Sequence, residues 1–206
     1  MQNDEVALEK TSIGVFGDSH SADKAVALRQ IGYDAVQLGG AECGLYPPHK
    51  EPGKKYCSLL YEVFAKVENI NTVVLANRFT DIELTMSYIE NLLDFWSTRY
   101  RKVVLFSPMP EFHHSNHNFI RTGEFSNNPS LEAHIKFFEI VDQVNMPKKV
   151  IVVNTKELFC GEGILCKGIE NEELLLTDYG HLTLYGAQFF GKNLRHSIYW
   201  DFITRH

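Results

Sequence analysis

Short apolar runs alternate with amphipathic stretches along this chain. Residues 12–16 (SIGVF) form a compact apolar run closed by Gly17, the pattern of a strand buried on both faces. Residues 22–31 then set Ala22, Ala25, Val26, Leu28 and Ile31 on one side of a helix, which Gly32 stops. A second strand is predicted over 34–38, followed by a loop broken at Pro47 and Pro48. Residues 56–67 read as a helix and 72–75 as a third strand. Thr80 or Asp81 suits the N-cap of a helix reaching residue 98, with Ile82, Met86, Ile89, Leu93 and Trp96 as its apolar face. Residues 102–106 (KVVLF) make a fourth strand. The polar segment 109–129 lacks periodicity and carries three histidines. A helix over 131–145, a fifth strand over 149–153 and a short apolar run at 173–176 follow. The last helix spans 183–198, with Tyr185, Phe189, Phe190 and Leu194 on its buried face.

Five apolar strands separated by helices predict an α/β fold: a three-layer α/β/α sandwich around a mainly parallel five-stranded sheet. Ligands in such sheets bind at the carboxyl ends of the strands, so the segments after Phe16, Leu38, Leu75, Phe106 and Val153 hold the candidate chemistry.

Composition narrows the class. The chain has 206 residues, which at roughly 150 per domain suits one domain over 1–206, with 1–10 as a flexible lead-in. A chain of this size buries about 70% of its unfolded surface and folds without a metal or staple. Apolar content of 44% and charged content of 22% exclude disorder and coiled coil. Its 20 Lys+Arg against 26 Asp+Glu leave a net charge of −6, and no basic block offers a nucleic-acid surface. No apolar run approaches the ~20 residues of a membrane span.

The four cysteines, Cys43, Cys57, Cys160 and Cys166, fall in stretches that read as loop, with neither C-x-x-C nor zinc spacing. Pairing in sequence order would close two small loops; four unrelated thiols fit the spacing as well. Residues 1–10 are polar and acidic, not a secretory signal.

The first strand ends in Gly17, Asp18, Ser19 and His20, directly before a helix. A serine there meets the free N–H groups and positive end of the helix, and its own N–H can face an oxyanion. Asp and Ser are also ordinary N-caps. A serine nucleophile needs a base and an orienter. Near the far end of the chain stand Asp178 and His181, three residues apart before the last helix. A turn at that spacing brings the carboxylate onto Nδ1 and leaves Nε2 for Ser19. An isolated D-x-x-H is otherwise a common surface turn.

Together, GDSH after the first strand and DxxHLT before the last helix resemble the SGNH (GDSL-like) hydrolase superfamily, over essentially the whole chain. The resemblance implies a flavodoxin-like fold, with Ser19 as nucleophile, His181 as base and Asp178 as its orienter. It also implies an oxyanion hole from the N–H groups of Ser19 and Gly39, Gly40 being the next candidate, and from Asn77. The segment after the third strand departs from the family's G-x-N-D: it reads Leu75, Ala76, Asn77, Arg78, with Asn77 at the asparagine position but neither the glycine nor the aspartate. Arg78 is a lesser candidate there.

A narrower likeness rests on GDSHS, the LANRF segment, the two cysteine pairs and D-x-x-HLT-x-x-GA. These look like the periplasmic SGNH domain fused to family-three membrane acyltransferases, which O-acetylate bacterial surface glycans such as lipopolysaccharide. That likeness implies Cys43–Cys57 and Cys160–Cys166 disulfides. It implies a periplasmic domain, held at the inner membrane through an N-terminal part not in this sequence; a cytoplasmic protein is the alternative. The partners would be a glycan acceptor, an acyl donor and the membrane acyltransferase domain.

Weaker signals complete the reading. His113, His114 and His117 have metal-like spacing but only Glu111 nearby, which argues against zinc. Phe79 and His113 are candidates for substrate contact, and Tyr46 and Phe112 also lie in strand-end loops where rings can stack on sugars. His20 reads as a neighbour of the nucleophile, not its base. The expected activity is acyl, most simply acetyl, transfer through a Ser19 acyl-enzyme, without metal or organic cofactor. A free-standing carbohydrate or lipid acetyl esterase and a non-catalytic glycan-binding module are the alternatives.

Overall fold

The structure, a computed structural model, describes residues 13–40, 43–45, 55–67, 69–79, 83–112, 129–161 and 166–204. In chain order the elements are β1 (Ile13–Gly17), α1 (Ser19–Gln30), β2 (Ala35–Gln37), α2 (Lys55–Ala65), β3 (Thr72–Ala76), α3 (Met86–Arg99), β4 (Lys102–Phe106), α4 (Glu132–Val141), β5 (Val150–Val153), α5 (Thr155–Cys160), β6 (Ile169–Glu170), β7 (Glu173–Leu174), α6 (Leu184–Arg195) and α7 (Trp200–Thr204).

Strands β1 to β5 form one sheet in the order β2-β1-β3-β4-β5, every neighbouring pair parallel. This is the α/β architecture the sequence predicts. The chain steps from β1 outward to β2, then returns across β1 to β3. That reversal opens a crevice at the carboxyl ends of β1 and β3, where doubly wound sheets bind ligands.

The strands are apolar throughout because both faces are covered. Val15, Val74, Val104 and Phe106 pack with Leu28 of α1, Phe159 of α5, Phe190 of α6 and Ile203 of α7. The alternate side chains Phe16, Leu75 and Leu105 pack with Phe64 of α2, Ile89 and Trp96 of α3 and Phe137 of α4. Alternation along each strand thus builds two cores from one sheet.

Local chemistry sets the helix starts. Asp18 accepts the His20 N–H and opens α1; Thr183 accepts from Gly186 and opens α6. Helix α3 begins at Met86 with Thr85 as its cap. The expected caps Thr80 and Asp81, and Ile82 of the expected face, lie outside the described residues. Met86 is 44% exposed, not part of that face, whereas Ile89, Leu93 and Trp96 are buried. Met86 opens the helix, where the chain has only begun to enter the core.

The cysteines pair as Cys43–Cys57 and Cys160–Cys166. Two of them are helical, not in loops: Cys57 lies in α2 and Cys160 ends α5. Six residues are too few for α5 to show a 3.6-residue period, so the sequence hides it. The β6–β7 hairpin hides likewise, with two residues per strand. The indole of Trp96 donates to the Leu45 carbonyl at 2.9 Å, so both a disulfide and a buried hydrogen bond fix the stretch after β2. Residues 1–10 lie outside the described residues.

Phe64 is fully buried beneath β1, whereas Leu59, five residues earlier and on another face of α2, is 61% exposed. Phe64→Ala is expected to cost about 3–5 kcal/mol in urea unfolding, and Leu59→Ala to stay within about 0.5 kcal/mol of wild type. Equal losses would contradict this packing.

Candidate active site

Ser19 is the first residue of α1, at the carboxyl end of β1. It is placed by a turn that only glycine tolerates. Gly17 has φ +148°, and a Cβ on it would lie 1.8 Å from the Ala76 carbonyl oxygen. The loop after β2 presses in from the other side: a Cβ on Gly39 would sit 2.0 Å from the Gly17 oxygen. Backbone therefore packs on backbone at the ends of β2, β1 and β3.

Side chains at the start of α1 hold the loops after β2 and β3 and the loop of His181. Asp18 accepts two backbone N–H groups, from His20 through Oδ1 and from Arg78 through Oδ2, both at 2.9 Å. Ser21 accepts from the Gln37 amide at 3.2 Å, and that amide also reaches the Gly39 carbonyl. Asp23 accepts the Leu182 N–H at 3.2 Å. Asp23 follows Ser19 by four residues, so both face the same side of the helix.

The loop 177–183 carries the partners of Ser19. Asp178 Oδ1 accepts the N–H groups of Gly180 (2.9 Å) and His181 (2.8 Å). Asp178 Oδ2 lies 2.7 Å from His181 Nδ1, and His181 Nε2 lies 2.8 Å from Ser19 Oγ. Nδ1–H donating to the carboxylate leaves Nε2 as acceptor for the hydroxyl proton. Burial pushes the Asp178 carboxyl up, but the three hydrogen bonds outweigh it and hold the group below the usual aspartate range.

His20 lies against this arrangement as a neighbour, as its position in the sequence suggests. Its ring stacks on His181, with centroids 4.5 Å apart and planes 23° from parallel. Burial, reinforced by the charge of Lys24, drives its pKa down to about 3, so it is a neutral plate. Lys24 is fully buried beneath, 5.1 Å from the Phe190 ring. Burial lowers its pKa against the pull of Asp23 and Asp18, and burial raises both those carboxyls.

Asn77 sits at the end of β3 with its Nδ2 2.9 Å from Glu83 Oε1. That bond uses one of the two amide protons. Gly40 accepts the Cys43 N–H through its carbonyl. The Arg78 N–H is used by Asp18, and its guanidinium grips Glu111 through Nε (2.6 Å) and Nη2 (3.0 Å). Phe79, a candidate substrate contact, is instead buried against Phe137, 5.3 Å between centroids, with a φ of +58°. Phe112 is buried beside Phe159. Tyr46, His113, His114 and His117 lie outside the described residues. Among the described residues no group of His, Cys, Asp and Glu side chains could hold a metal.

Sequence reading missed Ser21, Asp23, Gln37, Glu83, Glu111 and Tyr179. Gln37, an amide within an apolar strand, was the visible signal; Glu111 gave none, because its partner Arg78 is 33 residues away, and Glu83, six residues from Asn77, stands in no recognisable local pattern.

A family model described as SGNH domain (fused to AT3 domains) matches residues 2–195. The chain belongs to this family. A protein of Slackia heliotrinireducens described as an SGNH hydrolase superposes with a TM-score of 0.57 at 12% identity, covering 91% of this chain and 98% of that one. A Bacillus subtilis protein gives 0.56 at 12% identity, over 95% of this chain and 58% of its own. Est24, a carbohydrate acetylesterase from Sinorhizobium meliloti, gives 0.50 at 12% identity, over 91% and 97%. At such identities these likenesses establish the fold. No curated protein matches the sequence. The SGNH domain described here contains no helix long and apolar enough to cross a membrane among its described residues.

The neutral His20 makes stability depend on pH. Its folded pKa, about 3, lies below the ordinary 6.5. Between those values the unfolded chain binds a proton that the folded chain refuses, so stability falls as pH falls. Between pH 7 and 5, wild type is expected to lose about 2 kcal/mol more than His20→Phe in urea unfolding. An equal loss in both proteins would refute a neutral His20.

Proposed function

We propose that this SGNH domain is a serine-dependent acyltransferase that moves a small acyl group, most simply acetyl, onto a hydroxyl of a bacterial surface glycan. The observation that carries the reading is the unbroken chain of hydrogen bonds from Ser19 through His181 to Asp178.

In this mechanism Ser19 Oγ attacks the acyl carbonyl while its proton passes to His181 Nε2. Asp178 steadies the imidazolium through Nδ1. The N–H groups of Ser19 and Gly39 and the second Nδ2 proton of Asn77 receive the oxyanion. The leaving group takes the proton from His181, and an acyl-Ser19 ester remains. An acceptor hydroxyl then gives its proton to Nε2 and attacks that ester. The acyl group moves to the acceptor oxygen and Ser19 recovers its proton.

The family's fusion to AT3 domains supports a membrane acyltransferase partner that supplies the acyl donor. The two disulfides support an oxidising, extracytoplasmic setting. A second reading, hydrolysis, draws on the openness of the site. The His181 and Asp178 side chains are 24% and 35% exposed, so water reaches the acyl-enzyme when no acceptor is present.

The purified chain is therefore expected to turn over p-nitrophenyl acetate, and Ser19→Ala and His181→Ala to lose at least about 10³-fold. A fluorophosphonate probe should add one mass increment to wild type and none to Ser19→Ala. Undiminished turnover in either variant, or equal labelling of Ser19→Ala, would overturn the mechanism.

A further inference from the structure

Tyr179 lies between Asp178 and His181, yet it is 37% exposed. Its ring centroid is 6.0 Å from that of His181. The Arg78 guanidinium lies over the Tyr179 ring at 4.8 Å, with Nη1 3.5 Å from the phenol oxygen. Glu111 holds that guanidinium by two hydrogen bonds. Three loops are locked together here. Phe112 donates its N–H to the Tyr179 carbonyl at 2.8 Å, and Glu111 exchanges backbone hydrogen bonds with Ser130. The result is a fixed shelf at the rim, adjoining the Ser19–His181 pair.

We propose that Tyr179, Arg78 and Glu111 form the acceptor subsite of this domain, a shelf for one neutral pyranose ring. The proposal rests on the acyl-transfer reading above and assigns its acceptor side.

The chemistry of the shelf selects the ligand class. A pyranose has apolar C–H faces and hydroxyl edges, matching the Tyr179 face opposite Arg78 with polar groups beside it. An unpaired arginine would favour a carboxylate or phosphate. Here Glu111 already neutralises Arg78, and the pair offers donors and acceptors side by side. A neutral polyol uses both, whereas an anion meets the Glu111 carboxylate. A ring seated on Tyr179 would bring a hydroxyl toward His181 Nε2, where the second half of the reaction needs it.

The test uses the intact chain and saturation-transfer NMR, which needs no turnover. The probes are methyl α-D-glucopyranoside, methyl α-D-galactopyranoside and the anionic methyl β-D-glucuronide. Saturation is expected on ring C–H protons of at least one neutral sugar and to be weaker on the glucuronide. Tyr179→Ala should weaken that binding about tenfold, while Tyr179→Phe, which keeps the plate, should retain it within about threefold. With p-nitrophenyl acetate as donor and the bound sugar as acceptor, Tyr179→Ala should lower the ratio of transfer to hydrolysis about tenfold. No saturation of either neutral sugar, preference for the glucuronide, or unchanged binding in Tyr179→Ala would overturn the shelf. Failure of the nucleophile would appear separately: wild type would neither turn over the ester nor take the fluorophosphonate, while sugar binding would still report on Tyr179.

Discussion

The site depends on the first turn of α1, above all on the two-armed carboxylate of Asp18. One oxygen caps the helix that Ser19 opens, and the other takes the N–H of Arg78 from the end of β3. These two elements flank the crevice where the strand order reverses. Bridging that gap with one buried side chain fixes the distance between Ser19 and Asn77. Burial raises the Asp18 carboxyl, and its two N–H donors pull the other way. Ser21 and Asp23 repeat the device, reaching through Gln37 to the Gly39 loop and directly to the loop of His181. The loops after β2 and β3 and the loop of His181 are thus referred to the start of one helix.

That arrangement concentrates ionisable groups where water is scarce. Asp18, His20, Asp23 and Lys24 are consecutive or nearly so, and burial shifts each toward its neutral form. The lysine tempers the two aspartates and further discourages a proton on His20. A neutral ring can lie flat on His181 without opposing a proton on it; a protonated one would repel a protonated His181. His20 is in this sense a positioning residue, acting through the plane of its neighbour.

How much of this was legible in the sequence follows from where each partner lies. The five strands were visible because burial on both faces makes them continuous apolar runs, and their parallel pairing followed from the intervening helices. Ser19, Asp178 and His181 were visible because each stands at an element boundary in a recognisable local pattern. Hidden were contacts set by tertiary placement. Glu83 reaches back to Asn77, and Glu111 meets Arg78 across 33 residues, neither with a local mark. Phe79 misled for a physical reason: an aromatic in a strand-end loop suggests a ligand contact, but its ring packs into the core against Phe137. Helix α5 escaped because six residues hold no readable period.

The departure at Arg78 from the usual G-x-N-D segment makes sense in these terms. What Asp18 requires at that position is a backbone N–H, which any residue but proline supplies. Asn77 is steadied from elsewhere, by Glu83. The side chain at 78 is therefore released from the interior and reaches the rim, where it meets Glu111 and Tyr179. Backbone hydrogen bonding keeps the centre constant while the identity of one side chain reshapes the rim beside it. A fold that builds its reactive centre from main-chain contacts can vary its outer wall without disturbing the geometry of Ser19 and His181.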